Sequence, residues 1–206
     1  MTPVTMSGSG FLRTAGLALT LGATGLSAID LDVTSRDMEQ VLAVARGSEA
    51  ARAAFHAPYI LRAPSPLEAL EVVTERRRLA LLAAEKIAFG DPLFTQGTLR
   101  AEEALRSWRR RVAIVARFAF PANNAYTTAP PVDIALTEAP TPRLDMKSET
   151  LFALPGTNPA QPVPVVGARG EALFDAAGIA RESRTIVIRL GDKEVARVPV
   201  DFSKVE

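Results

Sequence analysis

Two hydrophobic rhythms divide the chain. From about Thr34 to Trp108, apolar residues recur every three or four positions among Ala, Leu, Arg and Glu, the period of amphipathic helices. From Arg111 to the end, Val, Ile, Phe, Pro and Thr follow the two-residue alternation of strands. The change falls at Arg109–Arg111. A short apolar run precedes both regions.

In the first region, Thr34-Ser35-Arg36-Asp37 predicts a helix N-cap with an acidic residue three places on, able to satisfy free backbone donors. Met38, Val41, Leu42 and Ala45 then mark one face of a short helix that Gly47 ends. Ser48-Glu49 restarts a helix through Ala50–His56, stopped at Pro58, and the proline-rich Tyr59–Pro66 reads as a connector. The spacing from Leu67 to Phe89 predicts the longest helix, opened by Pro66 and closed by Gly90-Asp91-Pro92. Leu79–Ala84 holds no polar residue, so that stretch is expected to be buried all round. A further helix is expected from Leu99 to Trp108, with Thr98 as its cap.

In the second region the expected strands are Arg111–Phe120, Val132–Leu136, Glu149–Leu154, Val165–Phe174, Arg184–Leu190 and Glu194–Phe202. Gly191-Asp192 supplies the tight turn of a final hairpin. Nine of the fifteen prolines lie between Pro121 and Pro164, which fits rigid loops and edge strands. A short helical interruption is expected at Asp175–Ile179. Six or seven short strands in about 95 residues resemble immunoglobulin-like or fibronectin-like modules in size and strand rhythm. The cysteine pair of those modules is absent and the sole Trp precedes the strands, so the expectation is an architecture and not a family. The predicted fold class is α+β: a small helical module over residues 29–108, followed by an antiparallel β-sandwich over residues 109–206.

The N-terminal pattern adds an address. Arg13 is followed by an apolar run from Ala15 to about Ala23 and then by small residues ending in Leu26-Ser27-Ala28. These are the parts of a secretory signal peptide over residues 1–28, with cleavage after Gly25 or Ala28. The run is shorter than the roughly 20 apolar residues a membrane span needs. Removing it takes away one cation and no anion, which leaves the chain formally neutral. A neutral surface gives no electrostatic drive toward nucleic acid. With no cysteine there is neither a disulfide framework nor thiol chemistry, so the exported chain must stand on its own core.

Candidate chemistry is sparse. His56 is the only histidine, placed at a helix end where it could cap the last carbonyls or shuttle a proton. Glu68, Glu71 and Glu75 share a face if Leu67–Phe89 is one helix, as a carboxylate pair or as a solvated face balanced by Arg76–Arg78. Glu85 follows the all-apolar stretch and is expected to be partly buried; for any catalytic role the carboxylate expected is Glu75 or Glu85. The triplets Arg76, Arg77, Arg78 and Arg109, Arg110, Arg111 form a candidate anion patch for phosphate or acidic polysaccharide. Phe118, Phe120 and Tyr126 are a candidate aromatic platform, with core packing as the plainer reading. Asp133, Asp175 and Asp201 are too scattered to suggest a calcium site, and no nucleotide loop, dinucleotide fingerprint or zinc pattern is present. No cofactor is expected. The function that follows is an exported, non-catalytic module that binds an envelope protein or extracellular ligand. A carboxylate-dependent hydrolase of cell-wall or polysaccharide substrates is the first alternative, and a homo-oligomeric structural envelope protein is the second.

Overall fold

A computed structural model describes residues 32–138, 141–154, 163–179 and 182–205. The expected signal segment, residues 1–28, lies outside them. Helix α1 spans Ser35–Arg46 and starts as its sequence predicts. The Thr34 hydroxyl accepts from the Asp37 amide while the Asp37 carboxylate accepts from the Thr34 amide. Its buried face is Met38, Val41, Leu42 and Ala45. Helix α2, Glu49–His56, is capped by Ser48.

The largest departure from expectation follows. Leu67–Phe89 is not one helix. The connector after α2 carries a two-residue strand β1, Ile60–Leu61, and Leu67–Val73 is strand β2. Helix α3 then covers Glu75–Ala88, with the Thr74 hydroxyl accepting from the Arg77 amide at its N-cap. Leu79, Ala80 and Ala83 are buried, whereas Leu81, Leu82 and Ala84 are half-buried, so α3 is covered on one side and not all round. Helix α4, Leu99–Leu105, continues through a tight turn to Trp108, and Thr98 makes no side-chain cap.

Strands β3 (Arg111–Ala119), β4 (Val132–Leu136), β5 (Arg143–Phe152), β6 (Val165–Asp175), β7 (Ser183–Leu190) and β8 (Lys193–Asp201) follow. A short helical turn at Ala176–Gly178 falls inside the expected Asp175–Ile179 interruption. Strand β5 begins six residues earlier than the expected Glu149 start. The final hairpin pairs Leu190 with Lys193 across a turn in which Gly191 has φ 61°.

Among the described residues, all strand pairs are antiparallel, in two sheets ordered β1-β2-β3-β6-β5 and β4-β7-β8. The fold is therefore α+β, with a two-sheet sandwich and helices. The sheets share one core. Leu70, Val72, Ile114, Ala116, Phe118, Ala168, Ala172 and Phe174 of the larger sheet meet Val132, Ile134, Ile186, Ile188, Ala196 and Val200 of the smaller. Each large apolar side chain removed from water there contributes about 1.5–3 kcal/mol. The backbone of β6 comes close to the other sheet at Gly170, where a Cβ atom would lie 2.3 Å from Val132 Cγ1. A second core joins α1, α3 and α4 around Met38, Leu42, Leu79, Phe94 and Leu105, and Phe55 packs against both cores. Among the described residues, no helix is long and apolar enough to cross a membrane.

Candidate functional site

Strand alternation gives the five-stranded sheet a second, outward face. Cross-strand register places Glu71, Val115, Glu171 and Lys147 in one row on that face, with Val73, Ala113, Leu173 and Asp145 in the next. The helices cover the first half of the second row: Val73 and Ala113 are buried, whereas Leu173 is half-buried and Asp145 exposed. Where that cover ends, Trp108 overhangs the sheet and two adjoining pockets open. One, of about 150 Å3, is lined by Glu71, Arg78, Leu81, Trp108, Val115, Arg169 and Glu171. The other, of about 220 Å3, is lined by Ser107, Trp108, Arg111, Asp145, Lys147, Glu171 and Leu173. Trp108 and Glu171 belong to both, so the pockets form one groove running from α3 to the sheet edge at β5.

The groove's charges are held by neighbours. Arg78 lies over the Trp108 ring, 5.1 Å from its centre. Arg169 binds Glu171 at 2.5 Å and reaches Glu149 at 3.5 Å. Glu71 pairs with Arg77, whose guanidinium also donates to the carbonyls of Tyr59 (3.1 Å) and Val72 (2.8 Å). Both signs of charge therefore surround one aromatic ring and an apolar floor at Val115. That arrangement can seat a polar ligand through stacking, hydrogen bonds and charge pairing.

Glu75 is buried at the start of α3; its carboxylate pairs with Arg109 at 3.4 Å and accepts from the Arg110 amide at 3.4 Å. It clamps the bend into β3, where Arg110 takes the left-handed φ of 57°. Glu85 is exposed and not partly buried, because the apolar side of α3 turns away from it. Ten residues of helix put Glu75 and Glu85 about 15 Å apart along the axis, too far to act on one bond. Glu68 and Glu71 lie on β2 and so share no helical face with Glu75.

The six arginines do not gather into one patch. Arg77 is buried and structural, Arg109 is paired with Glu75, and Arg76 is half-buried on α3. Only Arg78 and Arg111 reach the groove, each in one of the pockets that Trp108 joins. His56 does not cap its helix through Nδ1, which has no hydrogen-bond partner; the ring packs edge-on against Phe55 at 5.3 Å. Burial, and secondarily the Arg77 charge, lower its pKa from the ordinary 6.5, with Glu71 opposing. Phe118 belongs to the core, while Phe120 and Tyr126 pack at a tilt of 46° with centres 4.9 Å apart, at the opposite end of the strand from the groove. Among the described residues, no group of three or more His, Asp or Glu side chains could hold a metal ion.

Sequence reasoning missed Asp145, Lys147, Arg169 and Glu171. The available signal was the alternation Asp145-x-Lys147-x-Glu149 and Arg169-x-Glu171, which marks a polar strand face once pairing is known. No protein family, curated protein or solved structure matches the chain.

Proposed function

We propose that the chain is an exported, non-catalytic binding protein whose groove under Trp108 holds an extended polypeptide segment carrying charges of both signs. The observation that carries this reading is the groove lining: one indole, cations Arg78, Arg111 and Lys147, and anions Glu71, Glu171 and Asp145 around an apolar floor. A ligand of one charge sign would meet repulsion along part of this groove, whereas an envelope-protein segment with alternating charges would not. The strand distribution β2-β3-β6-β5 over β4-β7-β8 supports reading the sandwich as immunoglobulin-like, an architecture that presents faces and edges to other proteins. Export rests on residues 1–28.

The test uses the chain's single tryptophan. Random peptides displayed on phage are selected on the protein lacking residues 1–28, and enriched peptides are titrated against Trp108 fluorescence. Enriched sequences should carry both charge signs, change the emission, and lose at least tenfold in affinity on Glu171→Arg, a loss of about 1.4 kcal/mol. No enrichment, or peptides indifferent to Glu171→Arg, would refute the reading.

One observation favours hydrolysis as a second reading. Glu71 and Glu171 both oppose Val115 on neighbouring strands, so their backbones lie about 10 Å apart across the groove. That is near the separation of an inverting carboxylate pair, although each carboxylate here is bound by an arginine. Release of reducing ends from cell-wall glycan, abolished by Glu171→Gln, would establish this alternative.

A further inference from the structure

Strand β5 ends the larger sheet. Among the described residues its only strand partner is β6, so one side of a ten-residue strand has no partner strand. Bare edges of this length are normally blunted by bulges or charge. Here the two irregularities lie at the ends, between Arg143 and Asp145 and between Leu151 and Phe152. They leave a regular stretch, Asp145–Leu151, whose central residue is Ser148.

We propose that this edge is occupied by a second copy of the chain, β5 pairing antiparallel with β5 about a two-fold axis at Ser148. Three features of the strand agree on that register. It pairs the regular stretch with itself over its whole length. It sets Lys147 of each copy opposite Glu149 of the other, giving two opposite-charge pairs on the outer face. It also brings Leu144, which is 52% exposed, near Phe152, which is 54% exposed, at the irregular residues just beyond each end of the paired stretch.

Neighbouring registers are worse. Centring on Lys147 puts that lysine opposite itself and Asp145 opposite Glu149. Centring on Met146 pairs Asp145 with Lys147 but runs into the Arg143/Asp145 bulge and leaves Phe152 uncovered. A two-fold axis normal to the sheet keeps both outer faces on one side. The two Trp108 grooves, which end at Asp145 and Lys147, thus open toward each other, and Glu149 of the second copy stands at the rim of each. The dimer does not rest on the ligand assigned to the groove.

Sedimentation velocity of the protein lacking residues 1–28 should show a monomer–dimer equilibrium. Lys147→Glu and Glu149→Lys should each weaken the dimer by about tenfold or more, because two attractions become two repulsions. The double swap should restore it. Circular dichroism of each variant keeps loss of fold separate from loss of pairing.

Register is read independently with cysteines, since the chain has none. Ser148→Cys should form an intermolecular disulfide on mild oxidation, because residue 148 faces itself across the axis. Met146→Cys should not, because the two copies of residue 146 lie about 14 Å apart. A monomer at every concentration, a dimer unmoved by the single swaps, or cross-linking through residue 146 and not 148 would each overturn the proposal.

Discussion

Arg77 and Arg78 are adjacent in sequence, yet they do unrelated work. On a helix they point about 100° apart, so one turns under β2 and the Tyr59 turn while the other lies against Trp108. Arg77 is buried with two backbone carbonyls and the Glu71 carboxylate as partners; removing it strands all three. Arg77→Ala should lower unfolding stability by about 3–5 kcal/mol in urea titrations. Arg78→Ala, which removes a partly exposed ring contact, should cost no more than about 1 kcal/mol. Equal losses would show that Arg77 is not the structural member of the triplet. His56 gives a prediction in pH. Its folded pKa lies below 6.5, so as pH falls through 6.5 the unfolded chain takes the proton first. The His56 contribution is thus present above pH 6.5 and is lost as pH drops toward the folded value. His56→Gln removes this dependence, so the stability of the native protein relative to the variant should decline between pH 8 and pH 5. A constant difference across that range would contradict the burial of the imidazole.

At the scale of elements, legibility followed local chemistry. Helix α1 was readable to its ends because Thr34, Asp37 and Gly47 supply both cap and stop within the segment itself. Thr34→Ala should cost about 1 kcal/mol, measured by thermal or urea unfolding, since it removes the hydroxyl that the Asp37 amide uses. The β7–β8 hairpin was readable for the same reason: its turn and its alternation are local. Strand β2 was not. In LEALEVV the leucines and glutamates recur at three-residue spacing, which mimics a helix face. The spacing is produced instead by a β-bulge between Leu67 and Ala69, which puts Leu67 on the same inward face as Leu70 and leaves Glu68 exposed, while Glu71 lies on the outward face. Thr74 was the local sign of the true helix start. Gly170 was also silent, because its meaning lies in Val132, 38 positions away in sequence. Gly170→Ala drives a Cβ atom into that side chain and should destabilise the sandwich by about 1–3 kcal/mol in the same assay. The groove followed this division too. Trp108, Arg78 and Arg111 stand out in sequence, while Asp145, Lys147, Arg169 and Glu171 gain their place only through strand register.

For the molecule as a whole, the change of composition at Arg109–Arg111 invites a cut between a helical half and a sheet half. The pairing of strands argues against treating it as a line of independence. Strand β2 comes from before the change and pairs along most of β3, from Val73 opposite Ala113 to Leu67 opposite Phe118. Its Leu70 and Val72 are fully buried in the core that the two sheets share, and Tyr59 and Leu67 join the same core from upstream. Glu75 fixes the bend at Arg109–Arg110 from the helical side, and Phe55 packs into both cores. A fragment of residues 109–206 would keep six of the eight strands found among the described residues but expose β3 as a new edge and leave Ile114 and Ala116 beside the vacated positions of Leu70 and Val72. With no cysteine to staple what remains, each lost aliphatic contact counts directly against the entropy of ordering the chain. The fragment should therefore lack the dispersed amide NMR spectrum and the sharp urea transition of the longer protein, and a fragment beginning at Asp32 should show both. A cooperative transition from residues 109–206 alone would establish that the helices and β2 are an addition to a sandwich able to fold without them.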